Sequence, residues 1–188
     1  MTHYIDSAMH DAPLELSRHL RKCIQKHQAS WSDLVFLCIG TDRMTGDCLG
    51  PCVGQLLKSH QSSAFSVYGT LESPVHALNL PDICSSITSL HPHPLIIAVD
   101  ACLGQKKHLG FMTVKNGALF PGAGVSKKIP PVGDISITGI VNIAGTLEHL
   151  TLQTTRLSFV IALADQIAQG ILEGISPDIS YKNSFTDL

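Results

Sequence analysis

The chain has 188 residues and a formal net charge of -2, which suits one domain spanning 1–188 that buries roughly 70% of its unfolded surface. No basic block exceeds two residues (Lys106-Lys107, Lys127-Lys128), so the positive field that nucleic-acid binding needs is missing. The longest unbroken apolar runs, 34–39, 95–99 and 159–164, fall far short of the roughly 20 residues of a bilayer span; residues 1–12 lack a cationic start and an apolar signal core. A cytoplasmic protein with no nucleic-acid or membrane partner is expected, its first twelve residues a loose leader.

Leu14, Leu16, Leu20, Cys23 and Ile24 recur at helical spacing and predict a helix over 13–27. An apolar strand at 34–39 leads into the loop GTDRMTGDCLGP (40–51) and a helical stretch at 53–60. Alternation at 65–71 predicts a strand, and Ile83, Ile87 and Leu90 a short helix started by Pro81 and Asp82. The run Pro94-Leu-Ile-Ile-Ala-Val-Asp100 reads as a parallel strand buried on both faces. Strands at 110–115 and 134–140 flank a segment rich in proline and glycine. A final helix carries Leu157, Val160, Ile161, Ala164, Ile167, Ala168 and Ile171, capped by Thr154 or Thr155; the polar tail 174–188 is expected to be mobile. Alternating strands and helices predict a three-layer α/β/α sandwich with a mostly parallel sheet, made mixed by its last strands.

In open α/β sheets the reactive crevice lies beyond the carboxyl ends of the strands. Asp47 follows the strand ending at Ile39 and Asp100 closes the run 95–99, so neighbouring strands would bring both into one crevice. Two close carboxylates cannot both ionise easily; one keeps a proton while the other activates water. The same pair could instead hold a divalent cation, with His76 the candidate third ligand and His91, His93 and His149 behind it. Asp47 also fits a helix cap, and Asp100 a structural one. Asp42 and Arg43 fit either an exposed loop pair or an inner ion pair orienting Asp47, and count as substrate-binding candidates. The loop Pro121-Gly-Ala-Gly-Val could offer the N–H groups of Gly122, Ala123 and Gly124 to an oxyanion or a substrate main chain. The glycines at 40, 46 and 50 match no nucleotide-binding spacing. The six cysteines sit mostly in apolar patterns, as free thiols do; Cys48 and Cys52 lack a second pair for zinc, and Cys48 and Cys102 lack a histidine partner for nucleophilic chemistry.

In this order, GTDRMTGDCLGP, ESPVHALNL (72–80), IIAVDACLG (96–104) and PGAGVSKK (121–128) closely resemble the spore protease YyaC family of spore-forming bacteria, over roughly residues 30–170. More distantly, the Asp47, Asp100 and Pro-Gly-Ala-Gly-Val motifs resemble the germination protease that degrades small acid-soluble spore proteins, and the wider fold group includes the hydrogenase-maturation endopeptidases. The resemblance implies a phosphorylase/hydrolase-like fold, Asp47 and Asp100 as the catalytic pair, and an endopeptidase of sporulation or germination in the forespore or spore core. The implied partner is a protein or peptide substrate, such as a small acid-soluble spore protein; a homo-oligomer is allowed for and no cofactor is expected. In the hydrogenase peptidases a histidine joins two carboxylates around a metal, and no residue here matches it by motif. A non-catalytic peptide-binding module of sporulation and a metal-dependent endopeptidase are the alternatives.

Overall fold

The computed structural model describes residues 1–27, 31–60, 64–121 and 130–183, the side chains of 177–183 excepted. Its strands are β1 (Thr2–Asp6), β2 (Asp33–Cys38), β3 (Ser66–Tyr68), β4 (Pro94–Gly104), β5 (Phe111–Asn116) and β6 (Ile135–Ile143). The helices are α1 (Ala12–Gln25), α2 (Leu49–Ser59), α3 (Leu80–Leu90), α4 (Glu148–Gln153) and α5 (Leu157–Asn183), with single 3-10 turns at Gly46–Cys48 and Lys106–His108. One sheet runs in the order β1-β5-β6-β4-β2-β3. Pairs β2–β3, β2–β4 and β4–β6 are parallel, and β5 is antiparallel to both neighbours, so the sheet is mixed. With helices on its two faces it forms the expected three-layer α/β architecture.

Period-2 alternation sorts the side chains between the layers. One face sends Phe36, Cys38, Ile97, Val99, Met112, Val114 and Ile137 into a core shared with Leu16 and Leu20 of α1, Leu49 and Val53 of α2, and Val160, Leu163 and Ile167 of α5. The other sends Val35, Leu37, Ile39 and Ala98 against Leu80 and Ile87 of α3. Among the described residues only β2, β3 and the first half of β4 are sandwiched; on β5 and β6 the alternate positions include Thr113, Lys115, Ser136 and Thr138.

Several elements differ from expectation. Residues 2–6 are not a loose leader: they form edge strand β1, paired with β5 from Thr2↔Lys115 to Asp6↔Phe111, with Ile5 buried at 1% exposure. A single buried side chain in five gives too short a pattern to reveal a strand. Strand β3 stops at Tyr68 because Gly69, at φ 90, turns the chain over the Cys38 carbonyl. Strand β4 continues four residues past Asp100. The last helix runs on through the expected tail to Asn183, with Ile175 still buried and Arg21 donating to the Gly174 carbonyl at 3.1 Å. Residues 157–176 of α5, with a mean hydropathy of 1.2, are long and apolar enough to cross a bilayer by length and composition. Here their apolar stripe is packed in the core.

Strand β2 can meet α2 only through close backbone contact. A Cβ on Gly50 would lie 1.9 Å from the Ile39 carbonyl oxygen, a clash that no side-chain rotation relieves. Gly50→Ala is therefore expected to destabilise the fold by about 3 kcal/mol. Gly145→Ala, whose Cβ would meet nothing within 4 Å, should change stability by less than about 0.5 kcal/mol. Urea unfolding of the two variants checks this, and equal midpoints would contradict it.

Candidate active site

Strands β2 and β4 run parallel in register from Asp33↔Pro94 to Cys38↔Val99. Strand β2 stops there, so Asp100 is the first residue of β4 beyond its neighbour. The space above the end of β2 is filled by the 40–48 loop. Gly40, at φ 143, donates to the Val75 carbonyl at 2.8 Å, and the Thr41 N–H donates to the Asp47 carbonyl at 3.2 Å. Folded back in this way, the loop puts Asp47 over the stepped edge of the sheet. Asp47 and Asp100 both line one cleft of about 530 Å³.

Asp100 is 8% exposed. Its Oδ1 accepts from the Ala101 N–H at 2.8 Å. Burial first, and the neighbouring Asp47 charge second, push its carboxyl well above the ordinary carboxylate range, against the pull of that N–H. Burial also raises Asp47, while the Thr41 N–H and the charge of His76 act to lower it. The two carboxyls thus differ in environment: Asp100 favours the proton, and Asp47 is the more readily ionised of the pair.

Asp47 is not a helix cap in the sense expected. The cap of α2 is Cys48, with no side-chain hydrogen bond to the helix start. Burial raises the thiols of Cys48 and Cys102, and Cys102 donates to Thr138 Oγ1 at 3.5 Å, so neither is an activated nucleophile. Asp42 and Arg43 are exposed, outside the residues lining the cleft, and make no salt bridge among the described residues. Gly122, Ala123 and Gly124 lie outside the described residues.

His76 follows Val75, which bridges Ile39, and it acts on Asp47 through its charge. Its Nδ1 accepts from the Leu78 N–H at 3.3 Å, which leaves Nε2 to carry the proton in the neutral ring. His91 lies at the opposite end of the sheet, bonded to the Tyr68 hydroxyl at 3.1 Å and facing Asp33 at 3.6 Å. His93 is at that same end, its carbonyl accepting from Ser32. His149 does line the cleft, from α4. Among the described residues no three His, Cys, Asp or Glu side chains converge as a metal-holding group.

Lys115, Thr113, Thr138 and Glu148 also line the cleft and were not candidates from sequence. Thr113 and Thr138 share a hydrogen bond of 2.7 Å between their hydroxyls, and Lys115 Nζ lies 5.8 Å from the Phe120 ring centre. For Lys115, Thr113 and Thr138 the signal was the polar residue at every second position of Met112-Thr-Val-Lys115 and Ile135-Ser-Ile-Thr138; Glu148 had none. That pattern marks a sheet face not packed with apolar side chains alone.

The fold resembles that of a [NiFe] hydrogenase maturation protease, HycI, from Thermococcus kodakarensis KOD1. The TM-score is 0.53 at 16% sequence identity, covering 81% of this chain and 98% of that one. In sequence the chain is 50% identical over 156 residues to "Uncharacterized protein YyaC" of Bacillus subtilis (strain 168), covering 83% of this chain and 73% of the relative. Residues 4–170 match the family described as "Protein of unknown function (DUF1256)", and the chain belongs to that family.

Proposed function

We propose that this protein is an endopeptidase that hydrolyses a peptide bond with Asp47 and Asp100 as an acid/base pair. The observation that carries the reading is the buried Asp100 carboxyl, raised by burial and by Asp47, in a cleft that both residues line. Asp47, ionised, takes a proton from a water molecule whose oxygen attacks the peptide carbonyl carbon. Asp100 gives its proton to the carbonyl oxygen, forming a gem-diol. Collapse of the gem-diol returns one hydroxyl proton to Asp100, while Asp47 passes its proton to the leaving nitrogen and the C–N bond breaks. The water is consumed and both carboxyls regain their starting states. Gly122, Ala123 and Gly124 are proposed to contact the substrate main chain, with Asp42 and Arg43 at the rim.

The resemblance of the motif order to a spore protease family supports a substrate among spore proteins, small acid-soluble spore proteins included, and a site of action in the cytoplasm of the forespore or the spore core. The maturation protease with a similar fold supports the same reaction class. The second reading is a metal-dependent endopeptidase with His76, which acts on Asp47 through its charge, as third ligand, although no such three-residue group converges among the described residues. It requires both aspartates ionised around the cation.

The test is cleavage of a small acid-soluble spore protein with and without chelator, with metal content assayed on the same preparation. The dyad predicts chelator-insensitive cleavage, reduced about a thousandfold or more in both Asp47→Asn and Asp100→Asn. Its pH profile should be a bell: activity falls on the acid side as Asp47 takes up a proton and on the alkaline side as Asp100 loses one. Both limbs should lie above the ordinary carboxylate range, since both groups are raised. Activity lost on chelation and restored by a divalent ion selects the metal reading. A folded protein that cleaves nothing, yet binds peptide, selects the non-catalytic module.

The same protonation state makes a prediction for stability. Asp100 has its folded pKa above the unfolded value of about 3.9. The contribution of Asp100 to the stability of the wild type is therefore full below that pH and is lost as the pH rises toward the folded pKa. Asp100→Asn has no such loss, so its advantage in Tm over wild type should widen from pH 4 to pH 8, by about 2–4 °C for each kcal/mol. A gap that is constant or narrows with pH would contradict a protonated Asp100.

A further inference from the structure

The cleft does not stop at the aspartates. Registers across four strands set Asp100 beside Thr138, Thr138 beside Thr113, and Thr113 beside Tyr4, so these residues form one row across one sheet face from β4 to β1. A second hollow of about 340 Å³ shares Thr113, Thr138 and Cys102 with the first and extends it to Tyr4 and His108. At that outer end Tyr4, half exposed at 53%, lies 4.9 Å from the His108 ring centre, and His108 lies 5.3 Å from that of Phe111. An aromatic group left open beside a floor that mixes hydroxyls with Cys102, Leu103 and Ile140 is a platform suited to an apolar side chain.

Resting on the peptidase reading, we infer that this row is a substrate-binding groove. An extended polypeptide crosses the strands from the aspartates to Tyr4 and places an apolar or aromatic side chain on the Tyr4–His108–Phe111 platform. Three inter-strand spacings separate β4 from β1, about 14 Å. An extended chain advances about 3.4 Å per residue, so the anchored side chain belongs to the fourth residue from the scissile bond on one side. The substrate class is thus an unfolded segment with at least four residues on that side. The hydroxyls of Thr113 and Thr138 supply polar partners for its main chain along the way. Single residues and dipeptides fall short of the platform.

The probe is a mixed library of dodecapeptides digested by the wild type, by Tyr4→Ser and by His108→Ser, with cleavage sites read by mass spectrometry. Circular dichroism on the same samples confirms folding. The wild type is expected to enrich aromatic and large aliphatic residues at the fourth position on one side of the cut, by roughly tenfold in rate over serine. Both variants should flatten that preference. Cleavage by the wild type with no preference at that position, or a preference that survives in both folded variants, overturns the groove while leaving the peptidase reading in place. Absence of cleavage by the folded wild type overturns the peptidase reading, and the groove with it.

Discussion

A carboxyl group in the middle of a buried strand is costly to ionise, and Asp100 sits in that position with a second carboxylate facing it. The geometry around it follows from a step in the sheet. Strand β2 ends at Cys38 while β4 continues to Gly104, so the floor drops away on one side of Asp100 and the 40–48 loop folds into the gap. Gly40 and Gly50 permit the backbone approaches that hold the loop there: their Cβ atoms would lie 2.0 Å from the Asp47 carbonyl oxygen and 1.9 Å from that of Ile39. Glycine at the end of this strand therefore serves the placement of Asp47, and no nucleotide site is needed to account for it.

The second constraint is unequal cover. Helices α1, α2 and α5 pack one face of the sheet, whereas α3 protects only the β2–β3 side of the other. The remainder of that face, on β1, β5, β6 and the far half of β4, mixes the hydroxyls of Thr113, Ser136 and Thr138 and the Lys115 side chain with Cys102 and Ile140. A sheet covered on both faces would have to fill these positions with apolar side chains. Their polarity lines a cleft instead of a packed layer, and the cleft begins at Asp100. Low exposure for one aspartate and access for a large substrate come from the same arrangement of layers.

Much of this was legible in the sequence, because the strongest signals arise from the most completely buried segments. The run Leu95 to Val99 announced a central parallel strand, and Leu157 to Ile171 a core helix. The crevice rule, together with the position of Asp47 just before a helix, brought the two aspartates together. What escaped was carried by short or half-exposed segments. Strand β1 buries only Ile5, and α4, with six residues and no fully buried side chain, brings Glu148 and His149 to the cleft without any periodic pattern. Lys115 and Thr138 were visible as alternation in strands already identified, but nothing in the sequence states that no helix would cover them. The antiparallel turn of β5 is likewise set by tertiary pairing, not by local composition.

The central claim is that Asp100, the more deeply buried of the two carboxyls, keeps its proton to higher pH than Asp47. The most direct measurement is a carbon NMR titration of the aspartate side-chain carboxyls in wild type and in Asp47→Asn. The account predicts that Asp100 titrates well above the ordinary carboxylate range. It also predicts that removing the Asp47 charge lowers Asp100 only in part, since burial is the larger cause. An Asp100 carboxyl already ionised at the pH of an ordinary aspartate, or one unmoved by Asp47→Asn, would contradict it.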